Sequence, residues 1–304
     1  MRALKSSSAW ATALPLFTLL AACSGGSGGA GIGSAPPPPA SYTKIADMTG
    51  DRSFQTAGIQ YDTSPAGFSN ASSYALGSGV TVAYTAANDT YRLTAPDGTS
   101  ATFDPSSAQQ PTPGSNSQIW IKTVGTTRDQ FTLTVPTVSG VPLSYTVLGI
   151  WGHIDTATNH AVFRLAVGGA PTLASDMPKS GTATYSVGVR GGAVPTGGGS
   201  AYTLNANSTA TFSANFGTGA ISTSLALAGT PASGGSAVTS FGTFNGTGTI
   251  ASNSPGFTGT LSGTGATGLF SGAFFGPQAS EMGYDWSLTA PSFTAVGTVT
   301  GVKQ

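Results

Sequence analysis

The chain is short of charge. Only 7% of its 304 residues are Asp, Glu, Lys or Arg, against roughly 25% in ordinary globular chains. Eleven basic and eleven acidic side chains cancel, and no run of like charge occurs, so the basic face needed for nucleic-acid binding is missing. Scarce Lys, Glu and Arg also remove good helix formers, and each of the 44 glycines would cost about 1 kcal/mol inside a helix. Coiled coils, helical bundles and helical repeats are thereby excluded. Cysteine occurs once, at Cys23, so no intrachain disulfide can form and the fold must rest on packing. Apolar residues still make up 39% of the chain, with 15 Phe, 9 Tyr and 4 Trp, enough for a core and too much for wholesale disorder. The composition reads as all-β, and the length as about two domains.

Residues 1–22 begin with Arg2 and Lys5 and continue with an apolar stretch from Ala9 to Ala22. A basic start, a short apolar middle and small residues before a cut describe a secretory signal peptide. The apolar stretch is too short for the roughly 20 residues that cross a bilayer. Leu20-Ala21-Ala22-Cys23 resembles the bacterial lipobox, which implies cleavage before Cys23 and lipidation of that residue, palmitate included. One acyl chain anchors only marginally, whereas two or more hold firmly. Ser24 follows the cysteine, and the resemblance to Gram-negative lipoproteins implies that a residue other than Asp there favours passage to the outer membrane. Residues 23–40 then form a Gly/Ser-rich tether ending in Pro36–Pro39, a flexible coil with a stiff polyproline piece. The glycine patterns around Ser27 fit the nucleophile-elbow and dinucleotide spacings, but neither has a strand before it and a helix after it.

Strand signals begin near residue 78. Val80, Val82 and Tyr84 alternate with Thr81 and Ala83, Asn88-Asp89 makes a turn, and Tyr91, Leu93 and Ala95 alternate again, the pattern of a hairpin. Asp97-Gly98 is a second turn, and further strands are expected at 118–123, 130–135, 142–151 and 160–167. The proline-rich piece 104–117 reads as loop. Gly168 to Gly181 has the composition of a domain linker, with a boundary near 178: a β-rich domain over 41–178, then a second over 179–304. In the second, Ala183, Tyr185, Val187 and Val189 alternate with Thr and Ser, as do Ala210, Phe212, Ala214 and Phe216. Short, evenly spaced strands with glycine at the bends predict an eight-stranded, water-soluble antiparallel β-barrel. A polar outward face argues against a membrane-spanning barrel, which carries apolar side chains outward.

Within that region, Gly268-Leu269-Phe270-Ser271-Gly272-Ala273-Phe274-Phe275-Gly276-Pro277-Gln278-Ala279-Ser280-Glu281-Met282-Gly283 resembles the G-x-F-x-G-x-F-[FY]-G-P-x-A-x-E-x-G signature of the transferrin-binding protein B-like surface lipoproteins. Met177 to Tyr185 resembles the start of that family's barrel, and the preceding region its "handle" domain. The resemblance implies a single handle-plus-barrel lobe and a binding role, not an enzyme. The ligand would be a protein or solute, such as an iron-carrying protein or haem, handed to an outer-membrane transporter. An adhesion or host-evasion module on the same scaffold is the alternative. No ligand-contacting residue carries over, because ligand loops vary within the family.

The signature also reads physically. Phe270 and Phe274 share the inward parity, Gly276-Pro277 stops a strand, and Ala279 to Met282 is long enough for one helical turn. Glu281, the only glutamate, reads as a structural acceptor of backbone hydrogen bonds there. The densest polar cluster is Trp151, His153, Asp155 and His160. Two imidazoles and a carboxylate are metal-binding groups, yet the spacing fits no known site, so satisfied or surface histidines are expected. No catalytic residue, metal site or cofactor is assigned. Gly263 to Gly268 fits dinucleotide spacing but reads as a turn. Exposed loop aromatics are the better binding candidates, and the sequence leaves open whether Trp120, Trp151 or Trp286 is among them.

Overall fold

Alternating apolar and hydroxyl side chains are extended nearly everywhere, because Thr, Val, Phe and Tyr suit a pleated, half-buried surface. The structure, a computed structural model, describes residues 40–304 apart from 65–66, 112–113 and 205, and these fold as one unit. The leader, Cys23 and the tether to Pro39 lie outside the described residues. Among the described residues the only helical pieces are three short 3-10 turns.

The first strands are β1 (Arg52–Phe54), β2 (Ala57–Ser64), β3 (Gly67–Tyr74), β4 (Thr81–Thr85), β5 (Thr90–Thr94) and β6 (Ser100–Phe103). They continue with β7 (Ser117–Val124), β8 (Thr127–Thr134), β9 (Thr137–Val138), β10 (Val141–Pro142), β11 (Thr146–Asp155) and β12 (His160–Gly169). A four-stranded sheet, β1-β4-β5-β6, lies against a six-stranded sheet, β3-β2-β12-β11-β8-β7, around Leu93, Phe103, Trp120, Phe131 and Trp151. The expected hairpin at 81–94 forms, with Asp89 left-handed at its turn. Strands begin earlier than the sequence suggested: β3, Gly-Phe-Ser-Asn-Ala-Ser-Ser-Tyr, carries little apolar signal, and its register on β2 shifts between Gln60 and Asp62.

The barrel strands are β13 (Thr182–Pro195), β14 (Tyr202–Leu204), β15 (Thr209–Asn215), β16 (Ala220–Pro231), β17 (Thr239–Ile250), β18 (Gly256–Gly263), β19 (Ala266–Phe275), β20 (Glu281–Thr289) and β21 (Phe293–Lys303). Every neighbouring pair is antiparallel, and β13 pairs with β21 to close the ring. β14 and β15 both bridge β13 and β16, so they are two halves of one interrupted stave, and the barrel has eight.

The inward row is aromatic: Phe212, Phe257, Phe270, Phe274, Tyr284 and Trp286 are all buried. Ring centroids stand 5.1 Å apart for Phe257–Phe274 and 5.4 Å for Phe270–Tyr284, within the range of favourable aromatic pairs. Glycine makes the room, since a Cβ at Gly248 would stand 2.8 Å from Phe270 Cζ. The barrel is therefore a packed core and not a lumen. Outward positions on β15 to β18, such as Thr209, Thr211, Thr247, Thr249, Thr258 and Thr260, are exposed.

The outer face is not polar throughout, contrary to expectation. Leu269, Ala273, Phe275 and Val296 point outward and pack on Ala57, Ile59, Tyr61, Leu148, Leu165 and Val167 of the six-stranded sheet. Strands β2 and β12 of that sheet are thus covered by the barrel wall, while Ile150 on β11 stays exposed.

Candidate functional site at the handle–barrel junction

The signature stretch stands at this junction. β19 delivers Phe275 to the handle, and Gly276, at φ +70°, turns the chain beside the Tyr145 ring with no space for a Cβ. The 3-10 turn that follows is Pro277–Ala279, not Ala279 to Met282, and β20 starts at Glu281. Proline supplies the fixed φ that suits a first helical position, while Glu281 already pairs with Val302 across β20–β21.

Glu281 is 5% exposed. Its Oε1 accepts from the Ser144 amide at 2.6 Å, and its Oε2 accepts from the Tyr145 amide and the Thr146 hydroxyl, both at 2.9 Å. Glu281 does accept backbone hydrogen bonds, but from the handle across 136 or so positions of sequence and not from its own turn. Three donors converging on one carboxylate are charge-assisted bonds, stronger than neutral ones. Two residues on, Gly283 admits the handle: a Cβ there would lie 2.5 Å from Val167 Cγ2.

The segment 168–181 is packed, not loose. The Thr172 hydroxyl, buried, donates to the Gly276 carbonyl at 2.7 Å, and the Gly276 amide donates to Ala170 at 2.9 Å. Asp176 accepts from the Tyr42 hydroxyl at 2.8 Å and the Gln278 amide at 2.9 Å, and the Gln278 side chain donates to it as well. Burial pushes the Asp176 carboxyl upward, but the bonds from Gln278 and Tyr42 outweigh it and hold the group below the usual carboxylate range. Burial, with the neighbouring carboxylate, pushes the Tyr42 hydroxyl up to about 12.

The junction also holds Asp285, which the sequence did not single out. It is 1% exposed; one oxygen accepts from Thr298 Oγ1 at 2.5 Å and the other, Oδ2, has no partner. Burial raises its carboxyl to about 8. An acidic residue between Tyr284 and Trp286 in a strand was the available signal.

The histidine cluster resolves differently. Asp155, on β11, and His160, on β12, face each other across the hairpin, and His153 pairs with Val162 on the same face. His153 Nδ1 lies 2.8 Å from Asp129 Oδ1, which also accepts from Trp151 Nε1 at 3.0 Å. His160 Nε2 is 4.0 Å from Asp62. Asp155 caps its own turn through Ala157 and Thr158. Among the described residues no three His, Cys, Asp or Glu side chains stand where they could hold one metal ion. Beside the cluster, Arg164 is buried over the Trp151 ring at 4.7 Å and bonds Asp97 at 2.7 Å, tying the two handle sheets.

Trp120, Trp151 and Trp286 are all buried, which removes them as exposed binding candidates. A cleft between β3 and the β20–β21 wall, lined by Phe68, Ala71, Leu288 and Thr294, has a volume of only about 20 Å³, room for about one water.

Residues 177–303 match the family model described as the C-lobe and N-lobe beta barrels of Tf-binding protein B. The match covers the barrel of this chain, which is similar to that family's, and not the region before it. No curated protein matches the chain. Among solved structures, a double mutant of Transferrin Binding Protein B from Haemophilus parasuis is 16% identical, covering 82% of this chain and 45% of that one, with a TM-score of 0.48. The protein of the same name from Neisseria meningitidis is 17% identical over 82% of this chain and 43% of its own, at a TM-score of 0.42. The N-lobe domain of Lactoferrin Binding Protein B from Moraxella bovis is 13% identical over 84% and 100% respectively, at 0.35. The chain spans less than half the length of the first two.

Proposed function

We propose that this chain is a non-catalytic, lipid-anchored binding protein of the outer-membrane surface that works through its exterior. In this reading the signal peptide 1–22 is removed and Cys23 carries the lipid. Residues 23–40 lift the head from the membrane, and the handle, 41–178, and barrel, 179–304, present a protein ligand. The observation that carries the reading is the barrel of the transferrin-binding family with its interior filled by Phe212, Phe257, Phe270, Phe274, Tyr284 and Trp286. A filled barrel leaves no interior room for haem or another solute, which favours an iron-carrying protein captured on the outer surface. Tethering would raise the local concentration of captured ligand beside an outer-membrane transporter.

The test combines palmitate labelling of the wild type and a Cys23→Ser variant with protease shaving of intact cells and affinity capture by the shaved head. Labelling lost in the variant, release by protease, capture of an iron-carrying protein and poor growth of a deletion strain on that iron source are expected. A protease-resistant head on intact cells would place it inside the envelope and overturn the reading. Unchanged growth on every iron source with altered cell attachment would replace uptake by adhesion.

A further inference from the structure

The outward row of β20 facing the handle reads Glu281, Gly283, Asp285, Ser287. The first is met by three donors from the handle, and the second lies against Val167 and Thr146. Asp285 has no such provision. Its cross-strand neighbours are Ser271 on β19 and Thr298 on β21. The Ser271 hydroxyl is already donated to the Tyr74 carbonyl at 2.6 Å, so Thr298 alone serves the carboxyl.

No cation faces it. From β2 the titratable neighbour is the buried Tyr61 hydroxyl, whose own ionisation burial and Asp285 together disfavour. Arg164 of β12 points to the opposite face of its sheet, onto Trp151 and Asp97. Glu281 on the same strand is occupied by Ser144, Tyr145 and Thr146, and β21 offers only Thr298 and Thr300 hydroxyls. A charged carboxylate buried with one hydrogen bond and no counter-ion is strongly disfavoured, so the group neutralises instead.

We propose that the handle–barrel junction is a proton-linked catch: it closes with Asp285 as the neutral acid and loosens as that carboxyl ionises. Exposed to water in an opened junction, the carboxyl returns to its ordinary range near 3.8; closed, it titrates at about 8. Between those limits the open form has lost its proton while the closed form keeps it, so closure takes up a proton. Opening therefore becomes more favourable with rising pH, by up to about tenfold per unit, and levels off above about 8. Acid favours the closed form.

Hydrogen exchange on the full chain, at pH 5 to 9 and corrected for the intrinsic pH effect, tests this. Amides around Ile59–Tyr61 and Asp285–Ser287 are expected to open progressively more often up to pH 8. Those of Leu225 and Phe244, on the far wall, should change little. Asp285→Asn, neutral at every pH, should flatten the junction profile and reduce opening at least tenfold at pH 8. If that variant does not fold, Thr298→Val serves: losing the hydroxyl that supports the anion moves the levelling-off to higher pH. A variant profile that follows the wild type, or an equal change at Leu225 and Phe244, overturns the catch.

Discussion

Replacing Glu281 by alanine removes the acceptor of three donors at once. The Ser144 and Tyr145 amides and the Thr146 hydroxyl, bonded at 2.6 to 2.9 Å, are left at a site where Glu281 itself is 5% exposed. An orphaned buried donor costs about 1–3 kcal/mol. Water entering the vacated volume recovers part of this, because the space is polar and offers several partners. The expected net loss is therefore about 3–5 kcal/mol, a drop in Tm of roughly 6–20 °C at about 2–4 °C per kcal/mol for a domain of this size. Glu281→Gln keeps one acceptor oxygen but turns an amide NH2 toward a donor, so about half that loss is expected. Thr146→Val, which removes a single hydroxyl, should cost about 1 kcal/mol. Thermal unfolding of the three variants at one fixed pH gives the ranking. A Glu281→Ala variant melting within 2 °C of wild type would refute the reasoning, as would Thr146→Val losing as much as Glu281→Ala.

The remaining expectations concern the barrel wall and its closing turn. Phe270→Ala empties the space held open by Gly248 and should lose about 3–5 kcal/mol in urea unfolding, leaving the strand content by circular dichroism intact. Gly283→Val forces a side chain into Val167 and should destabilise by about 1–3 kcal/mol or more, with the pairing Val167→Ala restoring part of the loss. Asp176 is held below the ordinary carboxylate range in the fold, so its support is present above about pH 4 and disappears on acidification below it. Asp176→Ala should accordingly melt below wild type at pH 6, with the gap narrowing as the pH falls below about 4.

Strand alternation was legible wherever one face meets a core and the other meets water. Tyr185, Phe212, Phe270 and Phe274 declare their direction because their neighbours are Thr, Ser or Gly, and the barrel follows from period two and glycine turns. The signature around Glu281 was legible as punctuation, and its likeness to the transferrin-binding family pointed at the barrel that the structure contains. β3 was not legible, since its Ser, Asn and Ala side chains carry almost no hydrophobic pattern and it is held by backbone pairing to β2.

The linear chain thus determined the local geometry: extended strands, where they turn, and which row of the barrel is apolar. It could not say that Phe275 and Val296, outward by parity, would be covered, because only docking of a second sheet distinguishes a buried outer face from a wet one. Nor could it supply the partners of Glu281 and Asp285. Both are single acids in similar strand positions. The fold brings three donors from Ser144–Thr146 to one and a lone hydroxyl to the other, and that difference, set by contacts far apart in sequence, makes one a bolt between handle and barrel and pushes the carboxyl of the other toward its neutral form.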